Sequence, residues 1–258
     1  MNITEIYHNY IVYLQKTRES SDNFHASSSG TCFRKQMYEH FKYEKDEMDD
    51  KSYRLLRLGT VIHNEIEKSI QHHINNTDII NKIYVEEKIK IPDLNVSGQF
   101  DFGEHNKENN IFTLYDLKTV AAYKWTTKFG LKKNRKPQSD TNYKLQLGTY
   151  GLGIMSDDKF EASSVQLRLL WYNKNTSLMR EQIVSSDWMD RALEYWTEMN
   201  DILLEYGGSF KEELTPEYSA GVPFQDWECK YCPYLTKCPS TLAEQEKQKR
   251  LGRINVTK

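Results

Sequence analysis

Asp116 and Lys118 stand two residues apart in the run IFTLYDLKT, so on an extended strand both side chains leave from one face. Asp101 closes the preceding apolar run, where a hairpin-like return brings it beside Asp116. Two carboxylates and an ammonium on one sheet face suit Mg²⁺ or Mn²⁺, hard cations that prefer oxygen and keep several waters. Such a centre activates water for attack on a phosphodiester. Glu87 adds a carboxylate in phase with Ile83, Val85, Ile89 and Ile91, where the alternation asks for an apolar residue. A misplaced acid there costs several kcal/mol unless it is paired or binds metal. An isolated D-x-K is most simply a surface ion pair, so the neighbouring elements have to decide.

Those elements are legible as periodicities. Ile3 to Leu14 follows helical spacing, SSDNFHASSSG at 20–30 is a loop, and residues 32–43 are helical. Leu55, Leu58, Ile62, Ile66, Ile70 and Ile74 mark a long second helix, which carries His63 four residues after Gly59 and four before Glu67. Strands follow over 83–91, 96–102 and 111–119, with turns at 92–95 and 105–110. Residues 124–141 read as irregular and basic. A helix over 142–155, weakened by Gly148, Gly151 and Gly153, sets Gln146 and Tyr150 one turn apart. Strands at 165–172 and 180–184 precede a helix at 187–206 with Ser186 as N-cap and Leu193, Trp196, Met199 (or Asn200) and Leu203 inward. This order is that of an α/β or α+β single domain.

Lys124, Lys128, Lys132, Lys133, Arg135 and Lys136 crowd the segment after the D-x-K strand, interleaved with Trp125 and Phe129. Ammoniums for phosphates and rings for bases fit a nucleic-acid strand, against the plainer reading of a solvated face. Cys229-x2-Cys232-x5-Cys238 forms a tight cluster, and Cys32 stands near the other end of the chain. Four thiolates hold zinc or an iron–sulfur cluster. From spacing alone zinc leads, although zinc sites usually pair two close knuckles and here one ligand is remote. Disulfides are disfavoured in a chain whose N-terminus lacks the order of an export signal.

The chain has 258 residues, 35 Lys plus Arg against 37 Asp plus Glu, and a net charge of −2. Near neutrality excludes a wholesale cationic nucleic-acid binder and leaves only local charge for that role. With 38% hydrophobic residues, 17 Tyr, 10 Phe and 5 Trp, a sizeable core is available and global disorder is excluded. No run of apolar residues is long enough for a membrane span.

Gly59-x3-His63, Gly98-x2-Asp101, Asp116-x-Lys118 and Gln146-x3-Tyr150, in that order, resemble the RecB-like branch of the PD-(D/E)xK nucleases over roughly residues 25–240. The resemblance implies an α/β, restriction-endonuclease-like core, a central mixed sheet flanked by helices. It implies His63, Asp101, Asp116 and the backbone oxygen of Leu117 as ligands of Mg²⁺ or Mn²⁺, with Glu87 a further candidate. Asp101, Asp116, Lys118, Gln146 and Tyr150 are then the catalytic set. The four cysteines resemble those of the iron–sulfur nucleases related to the CRISPR adaptation nuclease and the AddB type. That implies a 4Fe–4S cluster on Cys32, Cys229, Cys232 and Cys238 that staples the tail, with Zn²⁺ the alternative. One nuclease domain is expected: residues 1–58 a helical part, 59–206 the core, 207–258 the cysteine tail. The expected activity is DNA hydrolysis at ends or single strands, in the cytoplasm, alongside recombination or CRISPR adaptation proteins. The rival is a silent DNA-binding subunit that keeps the fold.

Overall fold

The computed structural model describes residues 1–16, 22–78, 80–130, 140–205 and 227–256. In chain order these form α1 (Ile3–Lys16), β1 (Phe24–His25), α2 (Phe33–His40), α3 (Asp50–Asn76), β2 (Lys82–Ile91), β3 (Val96–Asn106), β4 (Ile111–Val120), α4 (Ala122–Phe129), α5 (Thr141–Ser156), β5 (Ser164–Asn173), β6 (Met179–Val184), α6 (Asp187–Glu205), α7 (Trp227–Lys230) and α8 (Thr241–Val256). It is an α/β fold with a mixed central sheet flanked by helices. Strands β3, β4, β5 and β6 lie side by side, with β4–β5 parallel and β3–β4 and β5–β6 antiparallel. No helix among the described residues is long and apolar enough to cross a membrane.

The edges of β3 are shared unequally, and this creates the site. β2 runs antiparallel along the length of β3, from Lys82↔His105 to Ile91↔Val96. On the other edge β1 takes only Val96 and Ser97, in parallel, and β4 takes only Phe102 to Asn106. Between them Gly98 to Asp101 have no strand partner on that edge, so β3 and β4 part like a fork. β4 meanwhile stays paired to β5 as far as Val120↔Asn173.

The core lies between the sheet and α5, with α6 outside it. Phe100, Phe112, Phe160, Trp171 and Trp196 are fully buried, each contributing about 1.5–3 kcal/mol by its removal from water. Residues Leu145 to Gly151 of α5 are all buried, which is why this helix is apolar nearly all round rather than along one stripe. Its glycines are contact points: a Cβ at Gly148 would sit 2.1 Å from the Trp188 carbonyl oxygen, so α6 approaches there as only glycine permits. Trp196 Nε1 donates to Thr149 Oγ1 at 2.8 Å and joins the two helices through buried polar groups. The tail docks on the other end of the chain. Tyr38 packs on Tyr234 with ring centres 5.2 Å apart, Asp46 N donates to the Pro233 carbonyl at 2.6 Å, and Thr236 N donates to the Asp46 carboxylate at 2.9 Å.

Several expectations are corrected. Residues 122–129 form a helix rather than irregular chain, its Trp125 and Phe129 packing on the core. Strand β3 continues through His105 and Asn106, which shortens the expected turn. Leu193 is 45% exposed, and Ala192 and Tyr195 take the inward positions beside Trp196 and Met199. No residue of α3 is fully buried, and Leu55 and Leu58 of its expected stripe are exposed. In β2 the core-facing phase changes: Ile89 and Ile91 are buried at one end but Tyr84, not Ile83 or Val85, at the other. The register does not slip, since Val85 pairs Phe102 and Glu87 pairs Phe100. Glu86 between them adopts a left-handed φ of +55°, which turns the strand about its axis.

Replacing Gly148 by Ala should destabilise the protein by about 2 kcal/mol, even after the ~1 kcal/mol that Ala gains in a helix, because α6 backbone must move. Urea unfolding measures this, and an unchanged or raised midpoint would contradict the close α5–α6 contact.

Candidate active site

Where β3 and β4 part, the Leu117 N–H points into the fork with no strand to receive it, and Asp101 Oδ2 accepts it at 2.5 Å. An extended residue sends its N–H and C=O to the same edge, so the Leu117 carbonyl leaves into the fork as well. The other oxygen of Asp101 lies 3.3 Å from His63 Nδ1, which α3 delivers from above. Gly59, one turn earlier, lets α3 lie close to β4; a Cβ there would meet Thr119 Oγ1 at 3.3 Å.

Asp116 is 2% exposed, and its carboxylate lies 2.7 Å from Lys118 Nζ. Lys118 Nζ also donates to Gln146 Oε1 at 2.8 Å, and Gln146 Nε2 donates to the Tyr150 hydroxyl at 2.9 Å. The one-turn spacing on α5 thus hands the ammonium to an amide and the amide to a phenol. Tyr150 reaches this position across β3 because residue 98 is glycine: a Cβ there would lie 2.7 Å from its ring.

Glu86 falls at the break in the β2–β3 ladder between Val85↔Phe102 and Glu87↔Phe100, held by Gln99 Nε2, which donates to both its carbonyl and its carboxylate at 2.7 Å. With Gly59, Thr60, His63, Asn64 and Glu67 it lines a pocket beside the fork. A non-glycine residue in a left-handed conformation costs on the order of 1 kcal/mol, and it persists where surroundings impose it. Glu87, the acid singled out by alternation, lies instead 3.8 Å from Lys159 and is not among the pocket's lining residues. Glu86 was missed because no sequence signal announces a left-handed residue in mid-strand.

Burial pushes the Asp116 carboxyl up to about 6, with the Asp101 charge adding to it and Lys118 opposing. Burial also raises Glu86 to about 7, helped by the charge of Glu67. Burial works to lower Lys118, but Asp116 and Asp101 outweigh it and leave the amine above its ordinary value, hence protonated at neutral pH. His63 behaves alike: burial lowers it, the hydrogen bond and charge of Asp101 raise it, and the net direction is upward. Four carboxylates therefore gather around one ammonium and one imidazole.

A family model for the PD-(D/E)XK nuclease superfamily matches residues 10–239. The chain belongs to that superfamily. Among solved structures, the crystal structure of SSO0001 is similar with a TM-score of 0.51 and 18% identity, covering 92% of this chain and 96% of that one. A candidate exonuclease from Eubacterium rectale aligns with a TM-score of 0.48 and 14% identity, over 74% and 83% of the two chains. No curated protein matches.

The fork brings Asp101, Asp116 and Lys118 together, but not as a finished cage. Among the described residues no three His, Cys, Asp or Glu side chains converge closely enough to form a preformed metal site. The same holds at the cysteines. Cys32, Cys229, Cys232 and Cys238, none in a disulfide, all line one cavity between α2 and the tail, with Arg34, Lys35 and Glu228 around it. Burial pushes the Cys32 thiol up to about 12 and that of Cys229 to about 11.

Of the expected nucleic-acid residues, Lys124 Nζ donates to the Tyr143 hydroxyl at 3.1 Å. Lys128 is ion-paired to Asp140 and lies 4.5 Å over the Trp171 ring. Trp125 packs edge-on against Phe129 with ring centres 4.9 Å apart, so it faces the core rather than a base. Lys132, Lys133, Arg135 and Lys136 lie outside the described residues.

Asp116 binds its proton more tightly folded than unfolded, since burial lifts it from 3.8 to about 6. The folded state then holds more protons across that interval, and chelator-treated protein should lose stability as pH rises from about 4 through about 6. Glu86 continues the loss to about 7. In melting curves taken across that range, wild type should fall relative to Asp116→Asn; parallel curves would refute the buried carboxylate's role.

Proposed function

We propose that this chain is a divalent-metal-dependent deoxyribonuclease of the RecB-like branch, acting on DNA ends or single strands as one nuclease unit. The observation that carries the reading is the convergence at the fork. Asp101 and His63 meet there from β3 and α3, and the Asp116–Lys118–Gln146–Tyr150 chain arrives from β4 and α5. The order of the four short motifs supports the branch.

The donor set fits a hard cation. His63, Asp101 and Asp116 are the side chains that would hold Mg²⁺ or Mn²⁺, and burial, which lifts the Asp116 and Glu86 carboxyls, leaves them short of the positive charge that such an ion would bring. When bound, a divalent ion acidifies water and neutralises charge growing on the phosphate. The residues supply the rest. Water attacks phosphorus, forming one P–O bond as the P–O bond to the departing sugar oxygen breaks; the water gives up a proton to solvent and the departing oxygen takes one from it. Lys118, protonated, is a donor and not a base: it orients the water and the phosphate oxygen and offsets their developing charge. Gln146 holds that ammonium from its carbonyl side, and Tyr150 fixes which way the amide faces.

Cleavage of end-labelled single- and double-stranded DNA with Mg²⁺ or Mn²⁺ tests this. Wild type should release short products from ends, Lys118→Ala should lose on the order of 10²–10³ in kcat, and Asp116→Ala should be inactive. Absence of metal-dependent cleavage by wild type would favour a silent DNA-binding subunit, and undiminished cleavage by both variants would sink the assignment of the site.

The four cysteines we assign to a 4Fe–4S cluster that clamps the tail to α2. The support is chemical fit: four sulfurs line one small cavity, and two flanking cations, Arg34 and Lys35, suit the negative charge of thiolate ligands. Its part is structural, since it joins residues from opposite ends of the chain. Anaerobically purified protein should contain iron and acid-labile sulfide in equal amounts and lose thermal stability in Cys229→Ser. A colourless protein with zinc and no iron would overturn the cluster.

A further inference from the structure

Resting on the nuclease reading above, we propose that Lys124, seated on the ring of Tyr143, is a substrate-positioning residue that binds the phosphate next to the scissile one on the same strand. Tyr143 lies on the first turn of α5, one turn before Gln146, and Lys124 on the first turn of α4, just after the D-x-K strand. The Tyr143 ring has the Lys118 ammonium 5.0 Å from its centre and the Lys124 ammonium 4.2 Å from it. Both cations lie within 5.0 Å of one point, so they are separated by no more than twice that, which is close enough to address neighbouring phosphates. The ring itself is wedged edge-on against the buried Trp171, with centres 5.7 Å apart, so it is a fixed platform.

Charge distinguishes Lys124 from the lysines around it. Lys128 and Lys144 are both tied to the carboxylate of Asp140, which holds and screens each of them. Lys118 is committed inward to Asp116 and Gln146. Among the described residues no ion pair engages Lys124; its polar contact is the neutral Tyr143 phenol. An ammonium held by a phenol and an aromatic face keeps its charge for an anion and needs little ordering to meet it. The carboxylate-rich fork repels a phosphate backbone, and an uncompensated cation at its rim offsets that repulsion where the strand enters.

The role predicts a dependence on substrate length. Bis(p-nitrophenyl) phosphate carries one phosphodiester and no neighbour, whereas a single-stranded oligonucleotide offers the second phosphate. Lys124→Gln should raise KM for the oligonucleotide about tenfold with kcat within about twofold, and leave turnover of bis(p-nitrophenyl) phosphate unchanged. In metal-free binding the slope of log affinity against log salt should fall by about one. Lys124→Arg should restore most of the loss, and Lys107→Gln, in the distant β3–β4 turn, should change nothing. Equal losses on both substrates would mean a merely structural role, and no loss on either would remove Lys124 from the substrate path. If wild type turns over neither substrate, the nuclease reading fails first; the binding arm then decides on Lys124 alone, and an unaltered salt slope overturns it.

Discussion

The hydrogen bond from the Leu117 N–H to Asp101 is the constraint on which the site depends. A sheet that forks leaves backbone groups without partners, and an orphaned buried donor costs about 1–3 kcal/mol. Here the lost ladder bond is replaced by a carboxylate, which accepts at 2.5 Å and is thereby fixed in the fork. Its second oxygen then faces His63, and its charge reaches Asp116, Lys118 and Glu86. The group that repairs the sheet is thus the group that sets the electrostatics of the site. Fold and chemistry meet in one side chain.

The buried Asp116–Lys118 pair follows from that arrangement. A buried ion pair is weak support for stability, because desolvation consumes most of the attraction. It survives here with additional hydrogen bonding: Gln146 Oε1 accepts a further N–H of the ammonium, and Tyr150 orients the amide. This demands that α5 lie low on the sheet. Gly98 permits it from below, where any side chain would strike Tyr150, and Gly148 permits α6 to press it down from outside. The glycines that make α5 a poor helix by propensity are those that seat it.

Some of this was legible in the sequence. Alternation in IFTLYDLKT put Asp116 and Lys118 on one face, and helical spacing put Gln146 and Tyr150 one turn apart, because period depends only on local geometry. The long-range consequences were not. Alternation chose Glu87, but the left-handed backbone at Glu86 rotates the strand and delivers Glu86 to the fork. The basic run after β4 hid a helix, whose Trp125 and Phe129 serve packing while Lys128 is neutralised by Asp140. Leu193 looked inward from spacing alone, yet Ala192 and Tyr195 are the buried pair, the Tyr195 hydroxyl accepting from Gln36 Nε2 of α2 at 2.5 Å. Which neighbour a side chain meets is a tertiary fact, and periodicity does not carry it.

The near-neutral net charge acquires a spatial meaning from these contacts. Carboxylates of Asp101, Asp116, Glu67 and Glu86 concentrate on one side of the fork, and Lys124 stands at its rim beside the ring that also covers Lys118. On the proposed reading, an anionic strand and a divalent cation approach the same negative pocket and help one another there. The cation would cancel charge that repels the strand, and the strand would bring further oxygen ligands for the cation. Linkage makes this mutual, so each raises the affinity for the other by the same factor.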